Sequence, residues 1–358
     1  MAIRFINAQI FQPQGFVTGE LYVSDGKIAA PCAVEKTYDC QGFFLIPGLI
    51  DLQVNGIAGH DFTTSLKTLP EACLALAESG VTSFLATIIS QPLRRYKELL
   101  HDFERHKSTC LGLHLEGPHL NHKKRGAHPL NAIMEECAVE FWKETLNDSI
   151  KMVTVAPECL HAMEFIELLT SKNIVVACGH TEAGLDDIHR AKLHGATFAT
   201  HLFNAMQAFH QRSPGIIGYV LGQRSLWYSL IVDGVHLHPD TIAMAYNAFS
   251  EGLVLVSDSS ARTLAGHALD IQDKKKVIAG TETLAGSNCT LLDSVNMLHK
   301  LTSCSFHYAV DCATRKPAKL LGLPFKGELL EGYDADLVIL DETGSCCRTF
   351  IAGKQVFP

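Results

Sequence analysis

Charge of one sign never accumulates along this chain, and no apolar stretch in its 358 residues approaches the ~20 residues needed to cross a bilayer. A membrane span is thereby excluded from expectation. The first twenty residues, MAIRFINAQIFQPQGFVTGE, alternate apolar with polar side chains and lack an apolar block behind a basic start, so they do not read as a secretory signal. The 12 cysteines contain no CxxC pair and no regular spacing. In a chain too long to need disulfide staples, that usage fits reduced thiols in a core and a cytoplasmic location. Lys and Arg gather only at HKKR (His122 to Arg125) and DKKK (Asp273 to Lys276), against a formal net charge of −8. Both clusters read as solvated loop, and nucleic acid is not an expected partner.

Apolar content is plentiful. At 47% hydrophobic residues the chain can bury a large core. From Leu49 onward, β-rich runs alternate with segments of helical period, the pattern of βα units around a parallel sheet. Eight strands are expected: LIDLQVN, VTSFLATI, CLGLHLE, IKMVTVA, IVVACGH, ATFATHL, LWYSLIV and LVLVSD. Amphipathic stretches such as PLRRYKELLHDFERH and HAMEFIELLTSKN lie between them. This is an α/β chain with a (β/α)8 TIM-type barrel over 48–324, whose active site belongs where the strands end. Residues 1–47 and 325–358 instead read as short strands broken by turns. Neither end buries a face alone, so the two are expected to pair into one discontinuous small β-sandwich domain.

Polar residues at barrel strand tips carry the functional question. Glu116 ends the third strand (HLEGPH), His180 the fifth (CGHTEA), His201 the sixth (THLFNAM) and Asp258 the eighth (LVSDSS). Singly, each is more often a hydrogen-bonded core or cap residue than a ligand. Together they place two imidazoles and a carboxylate at one mouth, a ligand set of hydrolytic zinc sites that leave a position open for water. Asp258 then remains free to accept a proton from that water and pass it on. His128, in KKRGAHP, is placed to hydrogen-bond a developing oxyanion. His236, in DGVHLHP, is placed to orient a substrate.

The motifs GLHLEGPHL, KKRGAHP, GHTEA, THLFNAM, DGVHLHP, LVSDSSA and TLAGSNCTLLDSV, with PAKLLGL and GYDADLVILD near the end, resemble in order and spacing the N-acetylglucosamine-6-phosphate deacetylases of the amidohydrolase superfamily. The resemblance spans essentially the whole chain. It implies hydrolysis of the acetamide of N-acetylglucosamine 6-phosphate in amino-sugar catabolism, with Glu116, His180 and His201 binding a divalent ion and Asp258 as general acid and base. It further implies that His128 polarises the acetamide carbonyl, that His236 contacts the sugar phosphate, and that NAMQAFHQRSPG holds the phosphate through Asn204, Ala205 and Arg212. An Arg fork suits phosphate geometry. AGSNCT, around Gly286, resembles a substrate-covering loop. Zinc is the first expectation for the ion, with iron, cobalt or manganese as alternatives, and a homodimer is the expected assembly. The competing readings are a deacetylase of the galactosamine epimer, another amidohydrolase, and an inactive barrel kept for binding.

One departure from the superfamily is informative. Many amidohydrolases carry His-x-His at the end of the first strand, where both imidazoles help hold a second ion; here those positions are Gln53 and Asn55 in LIDLQVNG. An amide oxygen is a weaker ligand than imidazole for a transition ion. A single ion per chain is therefore expected, with both amides hydrogen-bonded at the barrel mouth.

Overall fold

The computed structural model describes residues 2–272 and 275–358. Eight parallel strands follow one another around a ring in chain order: Leu49–Val54, Val81–Ile89, Cys110–Glu116, Ile150–Val155, Val175–Cys178, Phe198–Ala199, Trp227–Ile231 and Leu253–Val256. A bridge between Val54 and Ser259 joins the first strand to the chain leaving the eighth. This is the expected TIM-type barrel. Ile50, Leu52, Leu85, Met152, Ala177, Phe198, Ile231 and Val254 form one buried apolar cluster from successive strands. That is the layered filling of a barrel interior, with the active site left to the strand tips.

The fifth and sixth strands are shorter than their sequence runs, and the functional residues explain why. His180, His201 and Asp258 all adopt positive φ, at +49°, +31° and +50°. A residue with a Cβ held there costs ~1–3 kcal/mol and persists only where its surroundings enforce it. Each turn leaves the strand ladder abruptly and presents its side chain at the mouth. The first strand uses another device. Ile50 and Leu52 belong to the inner cluster, yet Gln53 and Asn55 also reach the mouth, because pairing with the second strand shifts register between Asp51 and Val54. Such an irregularity re-aims the side chains that follow it.

The chain ends meet in one eight-stranded sheet. Phe44–Pro47 pairs antiparallel with Leu337–Leu340, stitching the two ends together, while Ile3–Gln12 pairs with Gly15–Ser24, Lys36–Asp39 and Phe44–Pro47. Phe5 stacks on Tyr38 at 5.3 Å and meets Phe350 edge-on at 5.0 Å, so residues from both ends share one aromatic centre.

An unanticipated three-stranded antiparallel insertion, Thr263–Leu264, His267–Gln272 and Lys275–Ile278, follows the eighth strand. It corrects the reading of DKKK as solvated loop. Asp273 and Lys274 lie outside the described residues, but Lys276 is buried at 6% exposure. HKKR stays solvent-exposed at His122 and Lys123, although Lys123 and Lys124 also line the cavity at the barrel mouth.

Candidate active site

The mouth encloses a cavity of about 440 Å³ lined by Glu116, His128, His180, His201, His236, Asp258, Asn55, Asn204 and Ala205, among others. Nine positions singled out from sequence thus converge on one space. Gln53 lies buried against it, bonded to Glu116, and Arg212 is exposed and not among the lining residues.

Glu116 is the hub. Its Oε1 accepts from Gln53 Nε2 at 2.9 Å and faces His201 Nε2 at 3.0 Å and His180 Nε2 at 3.2 Å, while Oε2 lies 3.5 Å from His128 Nε2. A carboxylate only accepts, so the amide nitrogen of Gln53 is the end that faces it. Burial opposes the Glu116 charge, but bonds from His128, His180 and His201 outweigh burial and hold its pKa well below the ordinary carboxylate range. Burial likewise opposes charge on His201, yet Glu116 and then Asp258 overcome it and raise that imidazole.

These residues fit a divalent ion. One ligand atom from each of Glu116, His180 and His201 lies within 4.8 Å of the others, all three residues being buried. Ligands ~2.0–2.2 Å from a tetrahedral centre stand roughly 3.3–3.6 Å apart, close to the 3.0 and 3.2 Å that separate Glu116 Oε1 from His201 and His180 Nε2. The rings are also oriented for it. His180 Nδ1 lies 2.7 Å from the Lys124 carbonyl, which can only accept, so Nδ1 carries a hydrogen and Nε2 is the nitrogen left to offer a lone pair once an ion replaces the hydrogen it shares with Glu116. Binding an ion here displaces protons that the raised His201 would otherwise hold.

His128 carries the opposite tautomer. The backbone N–H of Ser90 donates to its Nδ1 at 3.1 Å, and the Ser90 hydroxyl is 2.8 Å from the same atom. A backbone amide cannot accept, so in the neutral ring the hydrogen sits on Nε2, the atom facing Glu116. Burial, and then the neighbouring His180, push this imidazole down to about 4. At neutral pH it is a hydrogen-bond donor and not a base, as an oxyanion partner must be.

Asp258 is raised to about 6, first by burial and then by the Glu116 charge, with His201, His236 and the Asn55 bond pulling the other way. Asn55 Nδ2 donates to Asp258 Oδ1 at 2.8 Å. The two first-strand amides thus brace the hub carboxylate and the candidate proton carrier separately. His236 Nδ1 lies 2.7 Å from Asp233 Oδ2, and Asp233 Oδ1 accepts from the backbone N–H of His236 and Val235. Burial raises Asp233, but His236 outweighs it and keeps the carboxyl below its ordinary range. On the wall, Lys123 and Lys124 lie 3.4 and 3.8 Å from Glu182.

Several of these partners were not anticipated. Asp233 stands three residues before His236 in a motif already noted, a spacing that a search for carboxylate–imidazole pairs would find. Ser90 follows the second strand and carried the tip-position signal. His114, two residues before Glu116, lies below the site with Nδ1 3.1 Å from the Leu52 carbonyl and Nε2 2.8 Å from Thr154 Oγ1. Burial pushes it down to about 4, which keeps it neutral. The Lys124 carbonyl gave no sequence signal, since any residue offers one.

Replacing Gln53 with Ala removes a donor from the hub carboxylate. Metal affinity is expected to fall about 10- to 100-fold, the usual cost of losing an outer-shell bond, as read by competition with a chelator.

Comparison with known proteins places the chain in a family. The Amidohydrolase family model matches residues 44–356. The chain is 35% identical to the Danio rerio N-acetylglucosamine-6-phosphate deacetylase, over 99% of this chain and 96% of that protein. It is similar to the crystal structure of the Thermotoga maritima enzyme of the same name, with 30% identity, a TM-score of 0.89, and 100% of this chain and 99% of that one covered. It is also similar to a mutant of the Mycobacterium smegmatis enzyme in complex with N-acetyl-D-glucosamine-6-phosphate, with 26% identity, a TM-score of 0.90, and 100% and 99% covered. With a family model over most of its length and full-length relatives of one name, the chain belongs to the amidohydrolase family, in the N-acetylglucosamine-6-phosphate deacetylase branch.

Proposed function

We propose that this chain hydrolyses the acetamide of N-acetyl-D-glucosamine 6-phosphate to glucosamine 6-phosphate and acetate, within amino-sugar catabolism. The observation that carries the reading is the convergence of Glu116, His180 and His201 with a separate, raised Asp258 in one cavity. An ion bound to the first three supplies Lewis acidity to water and to a carbonyl oxygen. Asp258 takes a proton from the attacking water as its oxygen adds to the acetamide carbon. His128 Nε2–H donates to the oxyanion that develops. Asp258 then hands the proton to the amine nitrogen as the C–N bond breaks, since an unprotonated amine leaves poorly. His236, held by Asp233, works with Asn204 and Ala205 at the phosphate end, and Arg212 lies further along the same loop. Lys123 and Lys124 add positive charge to the cavity wall, which favours a dianion in a protein that is acidic as a whole.

Zinc is the ion proposed, with one per chain, because Gln53 and Asn55, whose amide nitrogens donate to Glu116 and Asp258, offer no imidazole to a second. The reading also carries a homodimer and, supported by twelve free cysteines, a cytoplasmic location. Domain boundaries at 1–47 with 325–358, and 48–324, are supported by the single sheet built from both ends.

Acetate release from N-acetylglucosamine 6-phosphate by the metal-loaded protein tests the function; no release, or preference for the galactosamine epimer, overturns it. The Asp258→Asn variant is expected to retain its metal and lose turnover, and a near-normal rate would remove Asp258 from its role. Because Asp258 titrates at about 6 and must be ionised to accept a proton, kcat/KM is expected to be level above that pH. Below it, kcat/KM should fall about tenfold per pH unit. Elemental analysis of reconstituted protein should return one ion per chain; two would refute the assignment of Gln53 and Asn55.

A further inference from the structure

Asp258 is held through its side chain by Asn55, and its backbone leads to a residue with no part in the chemistry above. The Asp258 carbonyl accepts from the Ser287 N–H at 2.7 Å, and the Ser260 N–H donates back to the Ser287 carbonyl at 3.3 Å. Residues 259 and 287 form a parallel bridge. The approach is so close that a Cβ on Gly286, whose φ is +70°, would stand 2.7 Å from the Asp258 carbonyl oxygen.

A single ammonium fastens this pair of segments. Lys276 Nζ donates to the Ser260 carbonyl at 2.5 Å and to the Ser287 carbonyl at 3.1 Å. The Lys276 carbonyl meanwhile accepts from the Ala285 N–H at 2.9 Å, so the residue grips the 285–287 segment by side chain and backbone together. The same small chamber, about 50 Å³, is lined by Asp51, Ser257 and Ser259. Burying an ammonium is costly unless its partners are well placed, whereas an aliphatic side chain would fill such a space without that cost. What the ammonium provides is a rigid link between the three-stranded insertion and both strands of backbone that set Asp258.

We propose that Lys276 is a positioning residue for the reaction: by clamping the Ser260 and Ser287 carbonyls it locks the Asp258 turn to the 285–287 segment and keeps the carboxylate aimed at water and leaving nitrogen. This rests on the deacetylase reading. Lys276 touches neither metal ligand nor reacting atoms, so it acts on Asp258 through this geometry and through its nearby positive charge.

The test uses full-length wild type, Lys276→Met and Lys276→Ala, each loaded with the same metal and assayed on N-acetylglucosamine 6-phosphate, with metal content and melting temperature followed in parallel. Lys276→Met is expected to keep its metal and a KM within about threefold while kcat falls about tenfold or more, the scale of a displaced catalytic group. In Lys276→Ala, which leaves room for a small cation, ammonium chloride should restore part of kcat where sodium chloride at equal ionic strength does not. A kcat for Lys276→Met within about twofold of wild type would overturn the proposal. Should that variant melt early, the Ala variant decides: restoration by ammonium supports the clamp, and indifference to ammonium overturns it. An inactive wild type would instead sink the deacetylase reading and leave no role to position.

Discussion

Everything at this barrel mouth depends on one buried carboxylate. Glu116 gathers His180, His201, His128 and Gln53 around its two oxygens, and a charge so deeply placed is tolerable only because each of those partners answers it. The same charge raises His201 and Asp258. Remove the carboxylate and the surrounding imidazoles lose their common target.

Around that hub the protein separates two roles that share chemistry but must not share protons. His180 is held by a carbonyl and His128 by an N–H, so the two rings present opposite faces, a lone pair from one and a hydrogen from the other. Neither assignment needs a special residue type at the anchoring position, only a backbone group in the right place. Asn55 and Gln53 divide their support in the same way, one to Asp258 and one to Glu116. Both first-strand amides bond carboxylates through their nitrogens.

Local strain and irregularity set the aim. Three strand tips turn at positive φ and a fourth carries a register shift, and each places a functional side chain where a regular strand would not. The eight strands, the barrel and the tip residues were legible because β-rich runs, the helical periods between them and their polar endings survive in one dimension. The shortened fifth and sixth strands were not, because a left-handed His or Asp has no composition signal. Lys276 was misread for a related reason. A charged run usually marks a solvated face, and only the fold reveals that this lysine turns inward to two carbonyls.

The amino-acid order by itself determined the alternation of strand and helix, the residues at strand tips, the family motifs, and the amides that stand where a second metal's ligands would be. These are properties of spacing and residue type, and they need no partner to be read. Tertiary structure alone decided which atoms face which: the tautomers of His128 and His180, the Asp233 brace on His236, the exposed position of Arg212 and the clamp beneath Asp258. The physical reason is that each depends on a contact between segments remote in sequence. Lys276 and Ser260, or Ser90 and His128, carry no mark of one another until the barrel closes and brings a donor within reach of an acceptor.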